Sequence, residues 1–153
     1  MSTISEPAGA SRFNPVSGGY DQFRPRYPQW IFDALAKHLA DNGAAQPLWL
    51  DIGSGTGIFA RQLADKLPAT TRIIGVEPSQ AMLDKAIAAS SDYTIEFVRG
   101  TAEQLAADDA TVDAISAATA AHWFDRPLFY AESQRVLKPG GFFAIVEYVR
   151  DVH

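Results

Sequence analysis

The segment Leu48-Trp49-Leu50-Asp51-Ile52-Gly53-Ser54-Gly55-Thr56-Gly57 constrains the fold more than any other part of the chain. Its apolar first half suits a strand buried on both faces, the habit of parallel sheets. Three glycines at alternating positions then let the backbone reverse sharply and approach a ligand where a Cβ would collide. Ile58, Phe59, Leu63 and Leu67 follow as one face of a helix. The start of that helix offers free N–H groups and a positive dipole end, both suited to a carboxylate or a phosphate.

The same alternation continues to the end of the chain. Pro28 stands where a helix favours its first residue, and Trp30, Ile31, Ala34, Leu35 and Leu39 follow at helical spacing before Asn42-Gly43 stops them. Arg72 to Val76 reads as a second strand, and Ser79 as the cap of a helix carrying Met82, Leu83, Ala86 and Ile87. Thr94 to Val98 is a third strand, and Thr101 with Gln104 has the spacing of a capping box for a short helix. Val112 to Ala118 is a fourth strand, Pro127 to Leu137 a helix stopped by Lys138-Pro139-Gly140-Gly141, and Phe142 to Val149 a fifth strand. Strands alternating with helices imply right-handed parallel βαβ units, helices on both faces, and a ligand at the carboxyl ends of the strands. Residues 1–27 lack periodicity and read as a flexible, lid-like segment ahead of a single domain over 28–153.

Composition removes several functions. No cysteine is present, so there is no disulfide frame, thiolate nucleophile or sulfur-ligated metal, and His38, His122 and His153 lie far apart in sequence. A metal site is not expected. Thirteen basic against eighteen acidic residues give a net charge of -5, and the basic residues are scattered apart from Arg12, Arg24 and Arg26. Nucleic-acid binders concentrate positive charge to neutralise phosphates, so the expected partner is a small molecule and not a nucleic acid. The apolar runs are too short to span a bilayer, and the first residues lack a signal peptide's basic and apolar regions, so a cytoplasmic protein without membrane contact is expected.

The glycine turn has two ligand readings. A dinucleotide fingerprint needs G-x-G-x-x-G, but Ile58 occupies the place of its third glycine. The observed G-x-G-x-G after an acidic residue instead resembles the first motif of class I S-adenosylmethionine-dependent methyltransferases. That resemblance puts Asp51 near the methionine ammonium and turns Gly53, Ser54, Gly55, Thr56, Gly57 and the helix start toward its carboxylate. Glu77, at the end of the second strand and beside Pro78, can accept the ribose hydroxyls of either cofactor. Met82 reads equally as an adenine contact or as core.

Later segments extend the likeness. Gly100-Thr101-Ala102-Glu103 resembles the family's adenine-side turn, although Glu103 alone would read as a helix-start acid. Ala117 and Ala118 close a strand of small residues that leaves room for the sulfonium and an incoming nucleophile. His122 is a candidate general base, and a structural histidine is its plain alternative. Tyr20-Asp21-Gln22-Phe23-Arg24-Pro25-Arg26-Tyr27-Pro28, Ala121-His122-Trp123-Phe124-Asp125 and Lys138-Pro139-Gly140-Gly141 are similar to trans-aconitate methyltransferase-like proteins of the methyltransferase type 11 group. In such relatives the N-terminal aromatic and arginine segment closes over the cofactor, which nominates Tyr20, Arg24 and Tyr27 as contacts.

The resemblance implies a Rossmann-like three-layer sandwich with strand order 3-2-1-4-5, and methyl transfer to a small molecule. It also implies that the usual last two strands are lacking, because the sequence stops at His153 soon after the fifth strand. An exposed fifth-strand edge invites cover by a partner or by a second copy in a homodimer. A non-catalytic cofactor-binding module and a nicotinamide-dependent oxidoreductase remain the rival functions, since a fold hosts many activities.

Overall fold

Ile31, Phe32, Leu35 and Leu39 line the buried face of α1 (Gln29–Asn42), which Gly43 ends in the left-handed conformation at φ +79°. The computed structural model describes residues 26–147. After α1 come β1 (Leu48–Ile52), α2 (Ile58–Lys66), β2 (Arg72–Glu77), α3 (Gln80–Ala89), β3 (Ile95–Arg99) and β4 (Val112–Ala118). A 3₁₀ turn (Ala121–Trp123), α4 (Arg126–Val136) and β5 (Leu137–Val146) complete the order.

All strand pairs are parallel, in the order β3-β2-β1-β4-β5. This is the expected Rossmann-like arrangement. Strand order reverses at β1, which pairs β2 on one side and β4 on the other, so a crevice opens at the carboxyl ends of β1 and β4. Every residue of β4 is buried, as a central parallel strand requires. One core cluster joins α1 and α2 to Trp49, Ile73, Ala114 and Ala118. The opposite cluster joins Phe129 and Val136 of α4 to Leu50, Ile52, Val112, Ile115 and Ala117. The alternation of Trp49 and Leu50 between the two clusters is the strand's period of two made visible.

Some expectations need correction. No helix follows β3: Thr101 and Gln104 instead form an isolated antiparallel bridge across a turn. Long-range bonds capture the backbone there, because the Leu105 N–H donates to Glu132 while Arg135 donates to the carbonyls of Leu105 and Ala107. Pro28 caps α1 from just outside the helix.

Lys138-Pro139-Gly140-Gly141 is a bulge inside β5 and not the connection before it. Leu137 already pairs with Val112, and pairing resumes at Phe142 with Ala114, leaving four residues opposite Asp113. Pro139 has no N–H for the ladder, and Gly140 takes φ +84°. The ordered strand ends at Val146, and residues 148 and 149 lie outside the described range.

Candidate functional site

The turn after β1 is a left-handed one. Gly53, Gly55 and Gly57 have φ of +70°, +57° and +87°, a region that costs an L side chain about 1–2 kcal/mol. A Cβ on Gly53 would sit 2.7 Å from Ala120 Cβ, whereas one on Gly55 meets nothing within 4 Å. The first glycine therefore packs on the loop after β4, and the second faces open space.

Backbone bonds hold this shape. Val76 O accepts from the N–H groups of Gly53 (2.7 Å) and Ser54 (3.1 Å), and Ser54 O accepts from Gly57 N–H at 2.9 Å. Gly55 N–H donates to Glu77 Oε1 at 3.0 Å, and Ser79 N–H donates to Glu77 Oε2 at 2.8 Å. Four loop N–H groups are thus engaged within the protein. The donors left for an anionic ligand group are the Thr56 N–H in the loop and those in the first turn of α2, Ile58 to Ala60, where a helix has no internal acceptor. The expectation of a loop cradling an anion narrows to Thr56 and that helix start.

Asp51, the penultimate residue of β1, lies beside this turn and is 1% exposed. Its Oδ1 accepts from the Ser116 hydroxyl at 2.8 Å, while its Oδ2 is buried without a partner. Burial raises the Asp51 pKa to about 7, and the Ser116 bond opposes that rise. A buried, unpartnered carboxylate oxygen is costly unless a donor arrives, and a ligand ammonium is such a donor.

The other strand ends converge on the same rim. Gly100 N–H after β3 donates to Glu77 O at 3.2 Å. Glu103 Oε1 accepts from Asp125 N–H at 2.9 Å, so the helix start it serves belongs to α4, which Asp125 caps. Pro78 is exposed, Met82 is half-buried, Thr101 is exposed and Ala102 packs in the core. Ala117 and Ala118 are buried in opposite core clusters, so only Ala118 shares the α1 and α2 side of the sheet with Asp51. His122 lies in the 3₁₀ turn, its side chain outside the described atoms, and Tyr20 and Arg24 lie outside the described residues.

Three contributors escape a reading of the sequence. Ser116 partners Asp51 directly across the β1–β4 ladder. Gln62, 4% exposed on α2, clamps the backbone of Tyr27, accepting from its N–H at 2.8 Å and donating to its carbonyl at 3.0 Å. Thr119, at φ +56° just past β4, donates to Ala118 O and accepts from the Tyr27 hydroxyl at 2.9 Å. Each is a polar residue in an apolar element or a strained one at a strand end, and buried polar groups must find partners.

Comparison with known proteins supplies a family. Residues 50–145 match the family model described as "methyltransferase domain". A Dictyostelium discoideum protein described as a methyltransferase is 33% identical over 137 residues, 90% of this chain and 49% of its own. A solved structure from Anaeromyxobacter dehalogenans, described as a type II methyltransferase, superposes with a TM-score of 0.68 at 34% identity. It covers 84% of this chain and 50% of its own. A Methanococcus maripaludis structure described as an S-adenosylmethionine-dependent methyltransferase covers 94% of this chain and 67% of its own, with a TM-score of 0.64. At 24% identity that likeness is one of fold. The chain spans about half the length of the curated relatives it matches.

Proposed function

The chain belongs to the methyltransferase-domain family, and from that premise we propose that it binds S-adenosylmethionine and serves methyl transfer to a small molecule. The observation that carries this reading is Asp51 Oδ2, a buried carboxylate oxygen without a partner beside a left-handed glycine turn. The donor set fits the cofactor: a carboxylate for its ammonium, a helix start for its carboxylate and Glu77 for its ribose. Each Glu77 oxygen accepts one backbone N–H and keeps a lone pair for a ribose hydroxyl.

The bound cofactor would supply an already activated methyl group on a sulfonium. The chain's residues then have to align donor and acceptor and exclude water, more than perform acid–base work. Gly53, Ser54, Gly55, Thr56 and Gly57 shape the methionine end, with Asp51 accepting from the ammonium. Glu77, Pro78, Met82, Thr101, Ala102 and Glu103 form the ribose and adenine side. Ala118 leaves space for an in-line approach, and a hydroxyl or amine acceptor would lose its proton to His122. Tyr20 and Arg24 would close over the ligand, and an aromatic there would favour the sulfonium by a cation–π contact.

No helix among the described residues is long and apolar enough to cross a membrane, which is compatible with a cytoplasmic setting. The outer side of β5 borders an open groove of about 920 Å³ lined by Tyr130, Leu137, Phe142 and Phe143, and a second copy is the occupant we expect there.

Incubation with methyl-labelled S-adenosylmethionine and a panel of carboxylic acids, phenols and amines tests the reading. Label transferred to a panel member supports it. Cofactor binding without transfer to any acceptor reduces the chain to a binding module, and absence of binding overturns the proposal.

A further inference from the structure

A hydrogen-bond chain runs through the centre of the sheet beneath the glycine turn. Trp49 Nε1–H donates to Ser116 Oγ at 2.9 Å, and the Ser116 hydroxyl donates to Asp51 Oδ1 at 2.8 Å. Trp49 and Ser116 are fully buried and Asp51 is 1% exposed. An indole N–H can only donate, so Ser116 must receive Trp49 on a lone pair, which leaves its single proton for Asp51. With Asp51 ionised, the direction of the chain is therefore fixed by chemistry. It occupies Oδ1 and leaves Oδ2 as the unpartnered oxygen.

We propose that Ser116, oriented by Trp49, is a positioning residue that favours the ionised form of Asp51 against burial and aims its free oxygen at the cofactor's ammonium. The proposal rests on the function argued above and adds a pH dependence to it.

Among the described residues, no charge on the packed elements assists Asp51. On β2, Glu77 is turned to Gly55 and Ser79, and Arg72 pairs with Glu96. On β4, Asp113 accepts from Leu48 N–H and pairs with Lys138. On α2, Arg61 donates to Thr56 O and Ser90, Asp65 holds Tyr93 and Arg26, and Lys66 pairs with Asp33 of α1. Also on α1, Lys37 and Asp41 are exposed and the His38 ring lies against Phe142. Ser116 is thus the group that favours the charged form against burial, which raises the pKa to about 7.

An ammonium pairs with a carboxylate and not with a carboxylic acid. Ligand affinity should therefore fall as pH drops below about 7, approaching tenfold per pH unit. Removing the Ser116 hydroxyl removes a bond to the charged form and moves that threshold upward by about one unit, the scale of one hydrogen bond to a charged group.

The test uses calorimetric titration with S-adenosylhomocysteine from pH 5.5 to 9 on the full chain, Ser116→Ala and Trp49→Phe. A ¹³C NMR titration of the Asp51 carboxyl in the ligand-free proteins accompanies it. Ser116→Ala should lose several-fold in affinity at pH 7, recover most of it at pH 9, and show an Asp51 midpoint above that of the parent. Trp49→Phe, which frees the hydroxyl to rotate, should shift both in the same direction by less. An Asp51 midpoint unchanged in both variants overturns the proposal. So does an affinity loss of equal factor at every pH, which marks a merely structural role. If the parent binds no S-adenosylhomocysteine at any pH, the functional reading fails, and the ligand-free titration still decides whether Ser116 tunes Asp51.

Discussion

Glu77 Oε1 accepts a hydrogen bond from the Gly55 N–H at 3.0 Å, so the acid at the end of β2 braces the glycine turn after β1. Its other oxygen accepts from Ser79 at the start of α3. One carboxylate therefore sets the shape of two loops that the proposed ligand has to touch. Glu77→Gln exchanges one acceptor oxygen for an N–H₂ that faces a backbone donor. Loss of one charge-assisted bond is on the order of 1.5–3 kcal/mol, so S-adenosylhomocysteine affinity should drop about tenfold to a hundredfold. Calorimetry on the variant checks this, and unchanged affinity removes Glu77 from the site.

Gly53 and Gly55 make a matched pair of alanine substitutions. Both have positive φ, so each alanine costs about 1–2 kcal/mol of backbone strain. Gly53→Ala adds a clash with Ala120 and should lower the melting temperature more. Gly55→Ala meets no protein atom within 4 Å, yet its Cβ enters the space assigned to the ligand. Thermal melts should rank Gly53→Ala as the less stable protein. Titrations should show Gly55→Ala losing binding out of proportion to its stability.

Asp51 also predicts how stability depends on pH. Its folded pKa of about 7 lies above the ordinary 3.8, so the fold favours the protonated acid. Between those values the folded state holds a proton that the unfolded state has lost, and stability falls as pH rises through that window. Asp51→Asn, neutral at all pH, should raise the melting temperature by roughly 2–8 °C at pH 8 and hardly at all near pH 4. It should also weaken binding. Parallel melts at the two pH values measure the difference, and an equal change at both contradicts the assignment.

Gln62→Ala removes both side-chain bonds to the backbone of Tyr27. A loss of about 1–3 kcal/mol follows from leaving part-buried polar groups without these partners. Hydrogen exchange at the Tyr27 amide should quicken more than the global change requires, because the clamp acts locally. Uniform acceleration across the sheet would show that Gln62 serves general packing.

The outline of the fold was legible because its signals are local. The apolar Leu48–Ile52 run, the glycine turn and the small-residue strand Val112–Ala118 announce themselves, and Ser79 caps α3 as its position suggests. The methyltransferase resemblance also rested on that turn. Illegible parts depend on distant residues. Thr101 and Gln104 have the spacing of a capping box, but Glu132 and Arg135 of α4 take the backbone that a helix would use. Pro139 and the glycines read as a helix stop, although Leu137 had already joined the sheet. Ser116 looked like one more small residue in β4. Only the β1–β4 register, which sets it opposite Asp51, shows that three buried polar atoms are strung together there.

The most direct test of the central claim is calorimetric titration of the chain with S-adenosylhomocysteine and, separately, NAD, repeated on Asp51→Ala and Glu77→Ala. The proposed function predicts one S-adenosylhomocysteine bound per chain, no NAD, and loss of binding in both variants while each remains folded. Binding of NAD in place of S-adenosylhomocysteine, or binding untouched by either substitution, would contradict it.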